Sequence, residues 1–218
     1  GVGMRQSMRS AFVFLLLLLI STTLARPDVI SDLCAEISET SYTNYLDNLL
    51  YTHLGDDRGI GGYEHDLARD NILNAFASFG LTASLDPFQY SGNTYHNVIG
   101  VLQGRTRPAD VYIVGAHYDS AGTPGADDNA SGVAGVLEIA RVASRHPWEC
   151  TIIFAAWDRE EQGMRGSRAW VSENLTLNIL GVANLDMIAY NPGGTYDDWA
   201  RIYSTNASDP LRTAWADA

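Results

Sequence analysis

The chain has 218 residues, with 26 acidic against 14 basic side chains and a formal charge of −12; so acidic a surface repels phosphate backbones and argues against a nucleic-acid-binding protein. All 14 basic residues are arginine, which excludes a Schiff-base enzyme, a Walker-type phosphate loop and a Ser-Lys hydrolase, since each needs a lysine. No Gly-x-Ser-x-Gly elbow occurs, and this argues against a serine hydrolase.

In chain order, the first feature is the apolar run Ala11 to Ile20, preceded by Arg5 and Arg9 and followed by Ser21-Thr22-Thr23-Leu24-Ala25. Charge, apolar core and small residues at Thr23 and Ala25 form a signal-peptide pattern, so residues 1–25 are read as a leader cleaved after Ala25. The run is shorter than the about 18 apolar residues of a membrane span, so a secreted protein without a stable membrane anchor is expected. The start at Gly1 rather than Met is read as a partial or miscalled start, with Met4 or Met8 the natural candidates.

The spacing predicts helices over Ser31 to His53 and Glu64 to Phe79, then an antiparallel pair of strands near Leu81 to Tyr90 and Tyr95 to Leu102. Val111 to Val114 reads as a buried strand. Asn129 to Arg145 carries Val133, Val136, Leu137, Ala140 and Val142 at largely helical spacing. A second buried strand follows at Thr151 to Trp157, a helical stretch after Gly163, a third strand at Leu180 to Leu185, and a helix beginning near Ser208 or Asp209. Apolar strands alternating with amphipathic helices indicate an α/β protein: a three-layer α/β/α sandwich with a mixed, largely parallel central sheet and its ligands at the strands' carboxyl ends. Residues 26–218 are read as one catalytic domain, incomplete at the carboxyl terminus because the sequence stops inside a predicted helix.

The strand ends carry the chemistry. His117 and Asp119 follow the strand at Val111 to Val114, Asp127 and Asp128 precede the helix at Asn129, Glu160 and Glu161 follow the strand ending at Trp157, and Asp186 follows the third strand. Any one of these acids alone reads as a solvated loop residue. Their repeated placement at strand ends describes a metal site instead, and imidazole mixed with carboxylates suits zinc. An i, i+2 pair on extended chain points to one side, which lets Asp119 hold the ring nitrogen that His117 does not give to metal. Asp128 is assigned to metal, whereas Asp127 and Asn129 are equally well explained as helix caps. Adjacent glutamates allow one to bind metal while the other takes a proton from water.

These residues, with Asn97-Val98-Ile99-Gly100 and Gly163-Met164-Arg165-Gly166-Ser167, resemble the secreted two-zinc exopeptidases, which include bacterial leucyl-type aminopeptidases, plasma glutamate carboxypeptidase and, more distantly, the glutaminyl cyclases. The resemblance runs from about Tyr63 to Asp186. It implies that His117 and Asp186 hold one zinc, Glu161 holds the other, Asp128 bridges them, Glu160 is the general base and Asp119 orients His117. The family's pattern ends with a second histidine downstream of the position of Asp186, yet His53, His65, His96, His117 and His146 all precede it. Two zincs are therefore expected in a complete site and one tightly held zinc in this chain. The resemblance implies an aminopeptidase acting on peptide substrates. A carboxypeptidase, a glutaminyl cyclase and a binding protein that lost its metals remain alternatives, and the Gly125 to Gly132 stretch with the paired glutamates looks like the peptidases rather than the cyclases.

Some expectations concern the surroundings. The other four histidines are read as surface or helix-terminal residues, and Arg159 and Arg165 as surface or salt-bridged. Cys34 and Cys150, the only cysteines, are read as a pair bridged in an oxidising compartment, with two unrelated thiols as the alternative. Asn174-Leu175-Thr176 and Asn206-Ala207-Ser208 are glycosylation patterns for a eukaryotic host.

Overall fold

The computed structural model describes residues 27–50, 57–59 and 62–189. The signal segment, His53, the helix near Ser208 and the Asn206 sequon lie outside the described residues.

Helix α1 (Pro27–Ala35) and helix α2 (Glu39–Asn44), which widens over Tyr45–Leu50, precede helix α3 (Tyr63–Ser78). Strands β1 (Thr82–Tyr90) and β2 (Asn93–Leu102) form a hairpin, followed by β3 (Arg107–His117), α4 (Gly132–Ala143), β4 (Cys150–Trp157), α5 (Arg165–Glu173) and β5 (Asn178–Asn184). Ser91 and Gly92 both take left-handed backbone, with φ of 49° and 80°, as a two-residue turn between twisted antiparallel strands requires. The strand order is β1-β2-β4-β3-β5. β2 runs antiparallel to β1 and β4, whereas β3 is parallel to both β4 and β5.

Strand alternation sorts the sheet into two faces. Tyr112, Val114, Ala116, Ile152, Phe154 and Ala156 join a core shared with the helices α1 to α4. Val111, Ile113, Ile153, Ala155 and Trp157 face the other way and pack with Trp170 of α5, whose ring centroid lies 5.7 Å from that of Trp157. Both faces are covered, so β4 is buried at every position, as its uninterrupted apolar run requires. Every residue of α4 except Arg141 is buried, because this helix is wedged between β3 and β4 on one side and α2 and α3 on the other. The expected three-layer α/β sandwich with a mixed sheet is thus the observed one.

The buried Glu138 inside this core is partnered. The Glu138 carboxylate of α4 accepts from the Ser38 N–H (2.6 Å) and the Ser41 hydroxyl (2.7 Å) and pairs with Arg141, which also donates to the Glu36 carbonyl (2.6 Å). This ties the α1–α2 junction to the middle of α4. Cys34 and Cys150 are both free thiols, which corrects the expected bridge. Cys150 opens β4 opposite Arg107 of β3, while Cys34 sits in the last turn of α1, and burial pushes both thiols up from their ordinary pKa. No helix among the described residues is long and apolar enough to cross a membrane.

Phe154 is fully buried with its ring centroid 6.3 Å from that of Phe76 in α3, so it joins sheet to helix. Phe154→Ala is expected to cost about 3–5 kcal/mol of unfolding free energy. Urea denaturation followed by tryptophan fluorescence checks this, and a loss below about 1 kcal/mol would contradict the two-sided packing.

Candidate metal centre

Parallel strands β3, β4 and β5 end on the same edge of the sheet, where turns leave side chains free to converge. His117 is the last residue of β3 and is buried. Its Nε2 lies 3.1 Å from Asp128 Oδ1 and 3.8 Å from Asp186 Oδ1. One donor atom from each of these residues lies within 4.8 Å of the others. Ligands about 2.1 Å from a tetrahedral ion stand about 3.4 Å apart, so the spacing fits one zinc. Among the described residues this is the one such cluster found.

Asp119 is fully buried and occupies the joint of the site. Its Oδ1 is 3.5 Å from His117 Nδ1, and its backbone carbonyl is 3.1 Å from the same nitrogen. The same carboxylate accepts the Glu160 N–H at 3.0 Å and the Glu161 N–H at 3.2 Å. The contact to the ring follows from the i, i+2 spacing. The grip on the paired glutamates does not, because it joins loops 41 and 42 residues apart.

The charges of the centre are crowded. Burial disfavours a charged His117 ring, yet the hydrogen bond and charge of Asp119, with Asp186 and Glu160 behind them, push its pKa up to about 9. In the metal-free protein the ring therefore carries a proton at neutral pH, and a cation arriving there displaces it. Burial raises Glu160, and the neighbouring Asp119, Asp186 and Asp128 charges add to this against His117. Glu161 is raised by burial and then chiefly by Asp128; Asp186 is raised by burial, with Asp128 and Asp127 adding to it. Glu161 is not one of the three residues of the His117–Asp128–Asp186 cluster. Carboxylates that raise one another in this way are relieved by a bound cation.

Several supporting residues are invisible to motif reading. Arg58 is buried, and its guanidinium donates to the carbonyls of Tyr118 (2.9 Å), Pro124 (2.5 Å) and Gly125 (2.8 Å), while its backbone N–H donates to Ser120 Oγ (2.8 Å). It fixes the glycine-rich loop that delivers Asp128. Gly125 closes that loop with φ of 59°, where a Cβ would stand 2.3 Å from the Asp128 carbonyl oxygen. Asn97 of β2 accepts the Asp158 N–H (3.1 Å) and donates to the Gly166 carbonyl (3.1 Å), bracketing the segment that carries Glu160 and Glu161. Sequence offered an unremarkable arginine, and for Asn97 a motif without the role it plays.

Two residues around the centre are buried. His65 is helix-terminal, as expected, in the first turn of α3, and is buried, with Nε2 2.8 Å from Asp158 Oδ1. Arg159 is salt-bridged, as expected, but inside the protein: its Nε lies 3.8 Å from Asp158 Oδ1 and its guanidinium 4.0 Å above the Tyr95 ring, whose face favours a cation so placed. Arg165 lies 4.9 Å over Tyr90. His96 stands within β2 opposite Pro87, and His146 is half-exposed, 2.6 Å from Glu36. Neither belongs to the cluster. Of the two candidate caps, Asn129 accepts the Gly132 N–H at the start of α4 (2.9 Å), whereas Asp127 accepts the Ala189 N–H (2.9 Å).

A mixed α/β sandwich with imidazole and carboxylate donors converging at its strand ends is the frame of a metal-dependent hydrolase. Residues 97–217 match the description of Peptidase family M28. The chain is 43% identical over 109 residues to a probable zinc metalloprotease of Pyricularia oryzae, covering 44% of this chain and 22% of that protein. It is 36% identical over 160 residues to leupeptin-inactivating enzyme 1 of Streptomyces exfoliatus, covering 69% of this chain and 36% of that one. In fold it is similar to the aminopeptidase from Aneurinibacillus sp. strain AM-1, with a TM-score of 0.61 at 16% identity over 70% of this chain and 71% of that one. The chain belongs to peptidase family M28, a family of zinc metallopeptidases. It spans less than a quarter of the length of the first fungal relatives it matches.

Asp119→Asn keeps the side chain's shape but turns an N–H₂ toward a backbone N–H or the ring. It is expected to weaken zinc binding about 10- to 100-fold, read by competition with a chromophoric chelator. Unchanged affinity would mean that Asp119 does not organise the centre.

Proposed function

We propose that this chain carries the catalytic centre of a secreted zinc exopeptidase that removes amino-terminal residues from peptides. The observation that carries the reading is the meeting of His117, Asp128 and Asp186 beside a glutamate pair held by the buried Asp119. His117 and Asp186 would hold one zinc, Asp128 would bridge, and Glu161 would face the second. Zinc supplies, when bound, an acidified water and a polarised substrate carbonyl.

The chain's own residues do the remaining work. Glu160 accepts the proton of the attacking water and returns it to the leaving amine. Its raised pKa moves it toward the working range of a general acid and base. Asp119 keeps the Glu160 backbone in place, so the carboxylate meets the water in one orientation. His117, with Nδ1 engaged by Asp119, presents Nε2 to the cluster. Among the described residues, His117, Asp128 and Asp186 would serve one zinc and Asp128 and Glu161 the other, so the first would be held more tightly. Secretion rests on the leader at residues 1–25 and on the charge pattern around it.

Glu160→Gln is expected to retain zinc and lose about 100-fold or more in kcat, measured as release of a chromogenic amine from aminoacyl substrates with and without chelator. Activity near wild type would remove Glu160 from the role of base. Cleavage of the amino-acetylated substrate as fast as the free one would contradict an aminopeptidase.

A further inference from the structure

Asp128 and Asp186 belong to different loops, and something must set the distance between them. Asp186 follows the end of β5 at Asn184, and the last rung tying this chain segment to the sheet is the Leu185 N–H to the Gly115 carbonyl (2.8 Å). From there the segment 185–189 hangs on the turn that carries Asp128. The Asn129 Nδ2 donates to the Leu185 carbonyl (2.9 Å), and Asn129 Oδ1 accepts the Met187 N–H (3.3 Å). The Ile188 N–H donates to Ser131 Oγ (3.1 Å) and the Ala189 N–H to Asp127 Oδ1 (2.9 Å).

Asn129 stands out among these partners. It is fully buried, adjacent in sequence to Asp128, and its one carboxamide bonds to the residue before Asp186 and to the residue after it. Its Oδ1 also accepts the Gly132 N–H (2.9 Å), which fixes the amide to the start of α4. Only a side chain with a donor and an acceptor on one carbon can bracket a peptide segment in this way. Gly132 leaves the space for it: a Cβ there would stand 2.3 Å from Asn129 Oδ1 and 2.8 Å from the Leu185 carbonyl oxygen. Met187 takes left-handed backbone with φ of 50°, a conformation a side chain rarely adopts and one the surrounding bonds must hold.

We propose that Asn129 is a positioning residue that sets the separation of Asp128 and Asp186, and through it the geometry and affinity of the zinc position. It acts only through backbone, and it touches neither donor atom. The inference rests on the reading of the cluster as a zinc site and goes further by assigning its spacing to a single amide.

The experiment measures zinc affinity of the full chain by chelator competition, with hydrogen exchange at the Met187 amide as a second readout. Asn129→Ala and the similarly sized Asn129→Leu remove all three side-chain bonds; Gly132→Ala opens the same bracket without altering Asn129. Each is expected to bind zinc about 10- to 100-fold more weakly, and the Asn129 variants to exchange the Met187 amide faster. Glu138→Gln breaks a buried network away from the centre and serves as a control, losing stability but keeping its zinc affinity. Asn129 or Gly132 variants that bind zinc as tightly as wild type overturn the inference, and so does a loss of affinity in Glu138→Gln as large as theirs. A wild-type chain that binds no zinc instead overturns the underlying reading of the site. If Asn129→Ala fails to fold, Gly132→Ala and Asn129→Leu decide the matter.

Discussion

One buried carboxylate, that of Asp119, joins the halves of the centre. It faces His117 Nδ1 at the end of β3 and accepts two backbone N–H groups from the loop after β4. Such charge-assisted bonds in a dry interior are stronger than neutral ones, and leaving them unmade costs more than making them gains. The ring of His117 and the glutamate pair are therefore held by one side chain. Arg58 and Gly125 fix the loop that brings Asp128, and Asn97 fixes the segment around Glu160. The centre is thus built on strand ends and held by side chain-to-backbone bonds, each from a different part of the chain.

This construction has an electrostatic cost. Burial and mutual repulsion raise Glu160, Glu161 and Asp186 together, and the His117 cation offsets only part of that repulsion. The rest of the molecule compensates through packing: α4 is buried along its length and β4 on both faces. A divalent cation that binds the folded form alone would stabilise it further by mass action. Strain of this kind at strand ends, supported by a dense core, is the usual arrangement of a reactive site.

Most of the fold could be read before any coordinates because its elements rest on local patterns. The runs Val111 to Val114 and Thr151 to Trp157 are β3 and β4, and the periodic Val133 to Val142 is α4. β3 extends back to Arg107 because its polar amino-terminal residues still pair with β4 and β5, a tertiary fact that apolar runs do not encode. The site's acids and His117 were legible from their place at strand ends. The burial of Arg159 on Tyr95 and of His65 against Asp158 was not, since charged and polar residues are read as exposed unless a partner is known. Arg58 escaped for the same reason, and although Asn97 was noted in a motif and Asn129 as a cap, their bonds to backbone groups distant in sequence were not foreseen. The two cysteines misled because an even count speaks to compartment and not to geometry.

Diffraction from zinc-soaked crystals, recorded on both sides of the zinc absorption edge, tests the central claim most directly. The account predicts one strong anomalous peak about 2.0–2.2 Å from His117 Nε2 and from carboxylate oxygens of Asp128 and Asp186. A full-occupancy peak elsewhere, or zinc-saturated crystals with none among these three side chains, would contradict it.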